Sequence, residues 1–159
     1  MNLSQNRLIH IEVEQDPSRI LSAEHQHEQA VAIYDILDEN IFHLAQVDGP
    51  YRLMLRTDMR HVHFDVQDEA GGQLNGLVLA LGPFRRIMRD YGQVCLTYYD
   101  AIRTKSPSQI QAIDMGRRAL HNEGSELLKE RLLNFATMDE LTARRLFTLM
   151  FVMTARRVS

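Results

Sequence analysis

Between Asp114 and Leu128 the chain reads DMGRRALHNEGSELL, which gathers an arginine pair, a histidine and acidic residues within a few helical turns. Arg117 and Arg118 supply planar, permanently charged forks of the kind that hold carboxylate or phosphate groups. His121 is of the residue type that ordinarily titrates near neutrality, and Glu123 follows two residues later. Those two are candidate catalytic residues, an acid–base pair acting on a small anion anchored by the arginines. Capping chemistry accounts for much of the same stretch. Asp114 reaches Arg117 or Arg118 one turn on. His121 suits the last turn of a helix, Gly124 the left-handed residue that ends it, and Ser125 with Glu126 the start of the next. Gly116 inside a helix costs roughly 1 kcal/mol relative to alanine, which close approach of another element would offset. Gly116, Arg117, Arg118, Asn122 and Glu123 are what capping leaves over.

Other spacings suggest weaker chemistry. His61 and His63 flank Val62 in a strand pattern and so share a face, with Asp65 beyond them; two such imidazoles can lean onto one metal ion. His10, on the polar side of its own strand, joins them if the first strand is adjacent. His25 and His27 lie two apart on a helix and diverge by about 200°. Arg85 and Arg89 stand four apart near a helix start and are candidate ligand-binding residues for an anion, or a solvated face pairing with acids. Phe84, Tyr91, Tyr98 and Tyr99 follow core spacing, and Cys95 on the same side reads as an inert core thiol. Phosphate-binding glycine loops, nucleophile elbows and zinc-finger spacings are absent, so no cofactor is indicated.

These residues must be held by elements that the apolar pattern lays out. Residues 8–14 alternate, with Ile9, Ile11 and Val13 on one face, as a half-buried strand does. Ser22 caps a helix whose stripe is Ala30, Ile33, Leu37 and Ile41. Three short strands follow at 51–57, 60–67 and 73–81. Tyr51, Leu53, Leu55, Val62, Phe64 and Val66 turn inward, and the third strand, apolar on both faces towards its end, reads as a more central strand. Pro83 then opens a helix striped by Phe84, Ile87, Tyr91, Val94, Tyr98 and Ile102. A helix bearing Ile110, Ile113, Arg117 and Leu120 comes next, a break at NEGS, a further helix, and a last one from about Asp139 to Arg156. That last helix is apolar nearly all round, which fits a central core helix or a homodimer interface. The expected fold is α+β: a small, mostly antiparallel four-stranded sheet in the order β-α-β-β-β, followed by a bundle of about four helices. It forms a single domain over 1–159, with a sheet half at 8–81 and a helical half at 83–157.

The 159 residues carry a net charge of −3 that conceals an asymmetry. Residues 1–80 hold five Arg against thirteen acids, a net of −8, whereas residues 81–159 hold thirteen Arg and Lys against eight acids, a net of +5. The halves should attract, within one chain or across a homodimer. Negative overall charge and the lack of a recognition motif argue against nucleic acid. The apolar runs are too short for a membrane span. One cysteine and no signal-like start point to the cytoplasm.

AIDMGRRALHNEGSELLKERL, together with HEQAVAIYDIL, GPYRL, PFRRIMRDY and YYDAIRT, resembles a bacterial family of unknown function, one of the groupings catalogued as uncharacterised protein families. The resemblance runs from about Leu8 to Met153. In that pattern a glycine stands where this chain has Ala119 and a glutamate where it has Gln26. The family implies no activity, substrate or catalytic residue.

Three functions are therefore expected candidates. The first is a soluble cytoplasmic binding or regulatory module that holds an anionic ligand or acidic protein partner on Arg117, Arg118, Arg85 and Arg89. The second is an enzyme for a small anionic substrate using His121 and Glu123. The third is a metal-dependent enzyme built on His61 and His63, with His10.

Overall fold

The computed structural model describes residues 5–14 and 22–154. Strand β1 (Leu8–Val13) leads into helix α1 (Ala23–Asp38), a short strand β2 (Phe42–Leu44), and the meander β3 (Tyr51–Thr57), β4 (His61–Gln67) and β5 (Gln73–Ala80). One 3₁₀ turn (Gly82–Phe84) opens α2 (Arg85–Thr104), followed by α3 (Pro107–Leu132), β6 (Ala136–Met138) and α4 (Glu140–Met153). The fold is α+β, with a main sheet ordered β1-β3-β4-β5. β1 runs parallel to β3, because α1 lies between them in the chain and carries it back, while the hairpins make β3-β4-β5 antiparallel.

Alternation builds the sheet as expected in its middle. Tyr51, Leu53, Leu55, Val62, Phe64 and Val66 are all buried, in one core with Leu128, Leu132, Leu146 and Phe147 from the helices. Two strands depart from expectation. A register shift between Leu8 and His10 turns Leu8 inward with Ile11 and leaves Ile9 half-buried. β5, expected at the centre, is an edge strand, and only Leu79 within it is fully buried.

Ser22 caps α1 as expected, its hydroxyl accepting from the His25 N–H at 3.1 Å. The buried stripe is Ala32 and Ile36 flanked by Ile33 and Leu37; Ala30 and Ile41 are exposed. α1 stops at Asp38, because Phe42–Leu44 leaves to pair antiparallel with Ala136–Met138. That ribbon is tied to the sheet through fully buried Tyr51, whose hydroxyl accepts from Leu44 N–H at 3.2 Å and donates to the Val47 carbonyl.

The break expected at NEGS does not occur, and α3 runs unbroken through it. Among the described residues Gly71 is the one glycine with positive φ, so Gly124 is helical rather than a left-handed cap. Ser125 turns its hydroxyl back to donate to the His121 carbonyl at 2.6 Å instead of capping a new helix. The close approach expected at Gly116 is found at Gly124 instead, and neither glycine ends a helix. A Cβ on Gly116 would meet nothing within 4 Å, whereas one on Gly124 would lie 2.3 Å from the Phe147 ring. α4 is the central helix of the layer, with Leu146, Phe147, Leu149, Met150, Val152 and Met153 buried; Asp139 caps it through Thr142 N–H at 3.1 Å. Arg156, the expected end of that helix, lies outside the described residues.

Candidate functional site

The arginine pair sits where α2, α3 and α4 meet. Its i, i+3 and i, i+4 spacing puts both guanidinium groups beside Asp114. Arg117 donates to Asp114 Oδ1 from Nε at 3.0 Å and from a terminal nitrogen at 2.5 Å, and Arg118 Nε lies 3.0 Å from Oδ2. One carboxylate thus orients two cations, whose bonds hold its pKa below the usual range. Arg117 also lies over the Tyr98 ring, 5.2 Å from its centroid, a cation–π geometry that fixes the guanidinium plane.

Below the pair lies an aromatic floor. The Tyr91 ring packs on His121 at 5.4 Å, Phe147 at 5.9 Å and Phe151 at 4.9 Å. Burial, with Cys95 alongside, pushes the Tyr91 phenol pKa up, and burial likewise raises the Cys95 thiol. Neither group ionises near neutrality, in keeping with an inert thiol at Cys95.

His121 is a mid-helix, half-buried residue rather than a terminal one. Its Nε2 lies 2.8 Å from Thr148 Oγ1, and that hydroxyl spends its only proton on the Arg144 carbonyl at 3.1 Å. Thr148 is left as acceptor, so Nε2 carries the proton of a neutral ring. Burial, reinforced by the charges of Arg144 and Arg117, pushes the His121 pKa down to about 4. Glu123 takes a different direction and pairs with Arg86 of α2, which also reaches Asp90 at 3.4 Å. The acid–base couple expected from spacing is therefore divided between two neighbourhoods.

Arg85 and Arg89 likewise separate. Arg85 donates to the Met59 carbonyl in the β3–β4 turn at 3.0 Å, and Arg89 leans on Asp90 at 3.4 Å. Among the described residues every ion pair joins partners within one half of the chain, so the acidic and basic halves do not lock by salt bridges. Two arginines of the basic half bond instead to backbone carbonyls of the acidic half: Arg85 as above, and Arg145 of α4, which donates to the Asp35 and Glu39 carbonyls at the end of α1.

His61 and His63 share a face, as their spacing requires, and both turn to Asp58. His61 Nδ1 lies 3.2 Å from its Oδ1 and His63 Nε2 3.0 Å from its Oδ2. Asp58 also accepts from Arg60 N–H and His61 N–H, which makes it the residue that closes the β3–β4 turn. These bonds, led by that from His63, hold its pKa well below the ordinary carboxylate range. β1 neighbours β3, not β4, and His10 faces Arg52, which in turn faces Gln67, four residues from His63. The three histidines do not meet. Among the described residues no group of three His, Cys, Asp or Glu could hold a metal ion. A shallow cleft of about 450 Å³ on the polar sheet face is lined by Glu12, Glu14, Met54, Arg56 and Asp65.

Sequence reasoning missed Thr148, Arg144 and Asp58 as partners. Asp58 had a signal, a turn aspartate three residues before His61. Thr148 and Arg144 had none, since their contacts depend on how α4 packs on α3. No described helix is long and apolar enough to cross a membrane.

Comparison with known proteins gives a consistent result. The UPF0262 protein of Rhodospirillum rubrum is 49% identical over 131 residues, covering 82% of this chain and 81% of its own. A UPF0262 protein of Cereibacter sphaeroides is 45% identical over 154 residues, covering 93% and 98%. One of Rhizobium etli is 50% identical over 129 residues, covering 80% and 82%. No solved structure matches. A family model described as uncharacterised protein family UPF0262 matches residues 5–156, and the chain belongs to that family.

Proposed function

We propose that this protein is a non-catalytic binding module of the bacterial cytoplasm that holds a phosphate- or carboxylate-bearing ligand on Arg117 and Arg118. The observation that carries the reading is the sharing of Asp114. One carboxylate orients two guanidinium groups and cancels only one charge. The surplus positive charge is presented beside the Tyr98 ring, with Arg118 largely exposed and free to close over an anion. Arg144, near enough to depress His121, adds to the same positive field. A catalytic reading has less support, because His121 is neutral and engaged with Thr148 while Glu123 is engaged with Arg86.

Titration with inorganic phosphate and with a phosphoserine peptide, followed by amide chemical shifts of α3, tests the reading. Binding should weaken as salt rises, since the site is close to solvent. Arg118→Gln should cost on the order of tenfold in affinity, the loss of one charge-assisted contact. Unchanged spectra with both probes at millimolar concentration at low salt would remove the proposal.

A further inference from the structure

The two edges of the main sheet are treated differently. At β1, the Arg7 carbonyl accepts from Tyr51 N–H, so the Leu8 groups point away from the sheet. The Asn40 carboxamide meets them there, accepting from Leu8 N–H at 2.8 Å and donating to the Leu8 carbonyl at 3.0 Å. Glu12 and Glu14 add charge along the same strand. This edge is closed by the devices that discourage strand addition.

β5 is far less protected. Gln73–Ala80, QLNGLVLA, contains no charged residue and no proline. Its register shift lies at its beginning, opposite Val66 and Gln67, clear of the rest of the strand. Leu81 N–H bonds to the Arg60 carbonyl directly opposite, so in an antiparallel ladder Leu81, Leu79 and Leu77 bond to β4. Gly76, Val78 and Ala80 then direct their backbone N–H and C=O outward. Among the described residues no backbone group pairs with them, and one side chain does: Asn75 Oδ1 accepts from Gly76 N–H at 2.8 Å. Val78 also exposes 55% of its surface.

We propose that β5 pairs antiparallel with β5 of a second copy of this chain, about a twofold axis at Val78, joining the two main sheets into one. In that register Val78 faces Val78 of the second copy and Gly76 faces Ala80, which pairs the outward groups of Val78 and Ala80 reciprocally and replaces the bond from Gly76 N–H to Asn75. Charge selects this occupant. Asp68 and Glu69 lie in the turn that enters β5, while Arg60 and Arg85 lie at its other end. Antiparallel pairing lays the acidic turn of each copy beside the basic end of the other, twice. Part of the excess of acid in one half and of base in the other, which no ion pair among the described residues joins, thereby meets between chains.

The test is light scattering with native mass spectrometry on the full chain at tens of micromolar, together with amide exchange. The wild type should be a dimer that loosens as salt rises, and Val78→Pro should make it a monomer, since that N–H serves only the outer side. A wild-type monomer, or a dimer that survives both high salt and Val78→Pro, overturns the proposal. Should the proline variant fail to fold, exchange in the wild type decides. Val78 and Ala80, whose N–H groups have no partner within the chain among the described residues, should be protected like Leu77 and Leu79 and lose that protection on dilution. Fast exchange at all concentrations means an open edge, and protection independent of concentration means the chain covers its own edge; either result refutes the pairing.

Discussion

Gly124 of α3 lies directly under the Phe147 ring of α4, so close that a Cβ would sit 2.3 Å from Cε1 and Cζ. Phe147 is fully buried and cannot swing into solvent. Gly124→Ala should therefore force the helices apart and destabilise by about 1–3 kcal/mol, the range of overpacked cores. Gly116→Ala meets open space and should stabilise by roughly 0.5–1 kcal/mol through helix propensity. Urea unfolding of the two variants checks both signs. Equal effects of the two substitutions would contradict the close contact.

His121 makes the fold acid-sensitive. Its folded pKa of about 4 lies below the ordinary value of 6.5, so the unfolded chain takes up the proton first as pH falls. The stability that His121 contributes is complete above about pH 6.5 and is lost between there and about pH 4. Between pH 7 and pH 5 the loss is on the order of 2 kcal/mol. His121→Gln retains a donor for Thr148 without the titration. Its stability should fall less than that of the wild type over the same interval, by denaturant midpoints at the two pH values. An equal fall in both proteins would show that other groups set the acid response.

How much of this was legible depends on whether the deciding contact is local. The inward faces of β3 and β4 follow from alternation alone, and Asp114 with Arg117 and Arg118 follows from one helical turn. Position within the sheet does not: apolar residues on both faces of β5 suit a centre strand, yet the chain order of the hairpins leaves it at the edge. β2 and β6 are three residues each and stable only against one another across most of the chain, so no local pattern announces them. At NEGS, glycine and serine carry the same composition whether they end a helix or let a neighbour approach. Only the seat of Phe147 distinguishes the two. Arg86–Glu123 and His121–Thr148 are both interhelical, which is why spacing within α3 suggested a His–Glu couple that packing divides.

Arg145 bonds across the two halves with two contacts. It donates to the Asp35 carbonyl at 2.6 Å and to that of Glu39 at 3.1 Å, filling acceptors that the end of α1 leaves without helical partners. Arg145→Met keeps most of the apolar stem but removes both bonds. A loss of about 1.5–3 kcal/mol is expected, the range for bonds to a charged donor. Exchange should accelerate first in the last turn of α1. A stability loss with unchanged exchange in α1 would place the effect elsewhere in α4.

Asn40 closes the β1 edge through chemistry that only a carboxamide has. Its oxygen accepts from Leu8 N–H at 2.8 Å, while its amide nitrogen donates to the Leu8 carbonyl at 3.0 Å and to the Ile36 carbonyl at 2.8 Å. Asn40→Ala abandons backbone groups of a residue with no exposed surface, which should cost on the order of 2–3 kcal/mol. Asn40→Asp is nearly the same shape but acceptor-only when ionised, so its second oxygen would face two carbonyls. The aspartate variant should be no more stable than the alanine one at pH 7, and should regain stability as the pH falls and the carboxyl becomes a donor. Aspartate matching the wild type at pH 7 would mean that the bonds from the amide nitrogen contribute little, and that one accepted bond is enough to hold the edge.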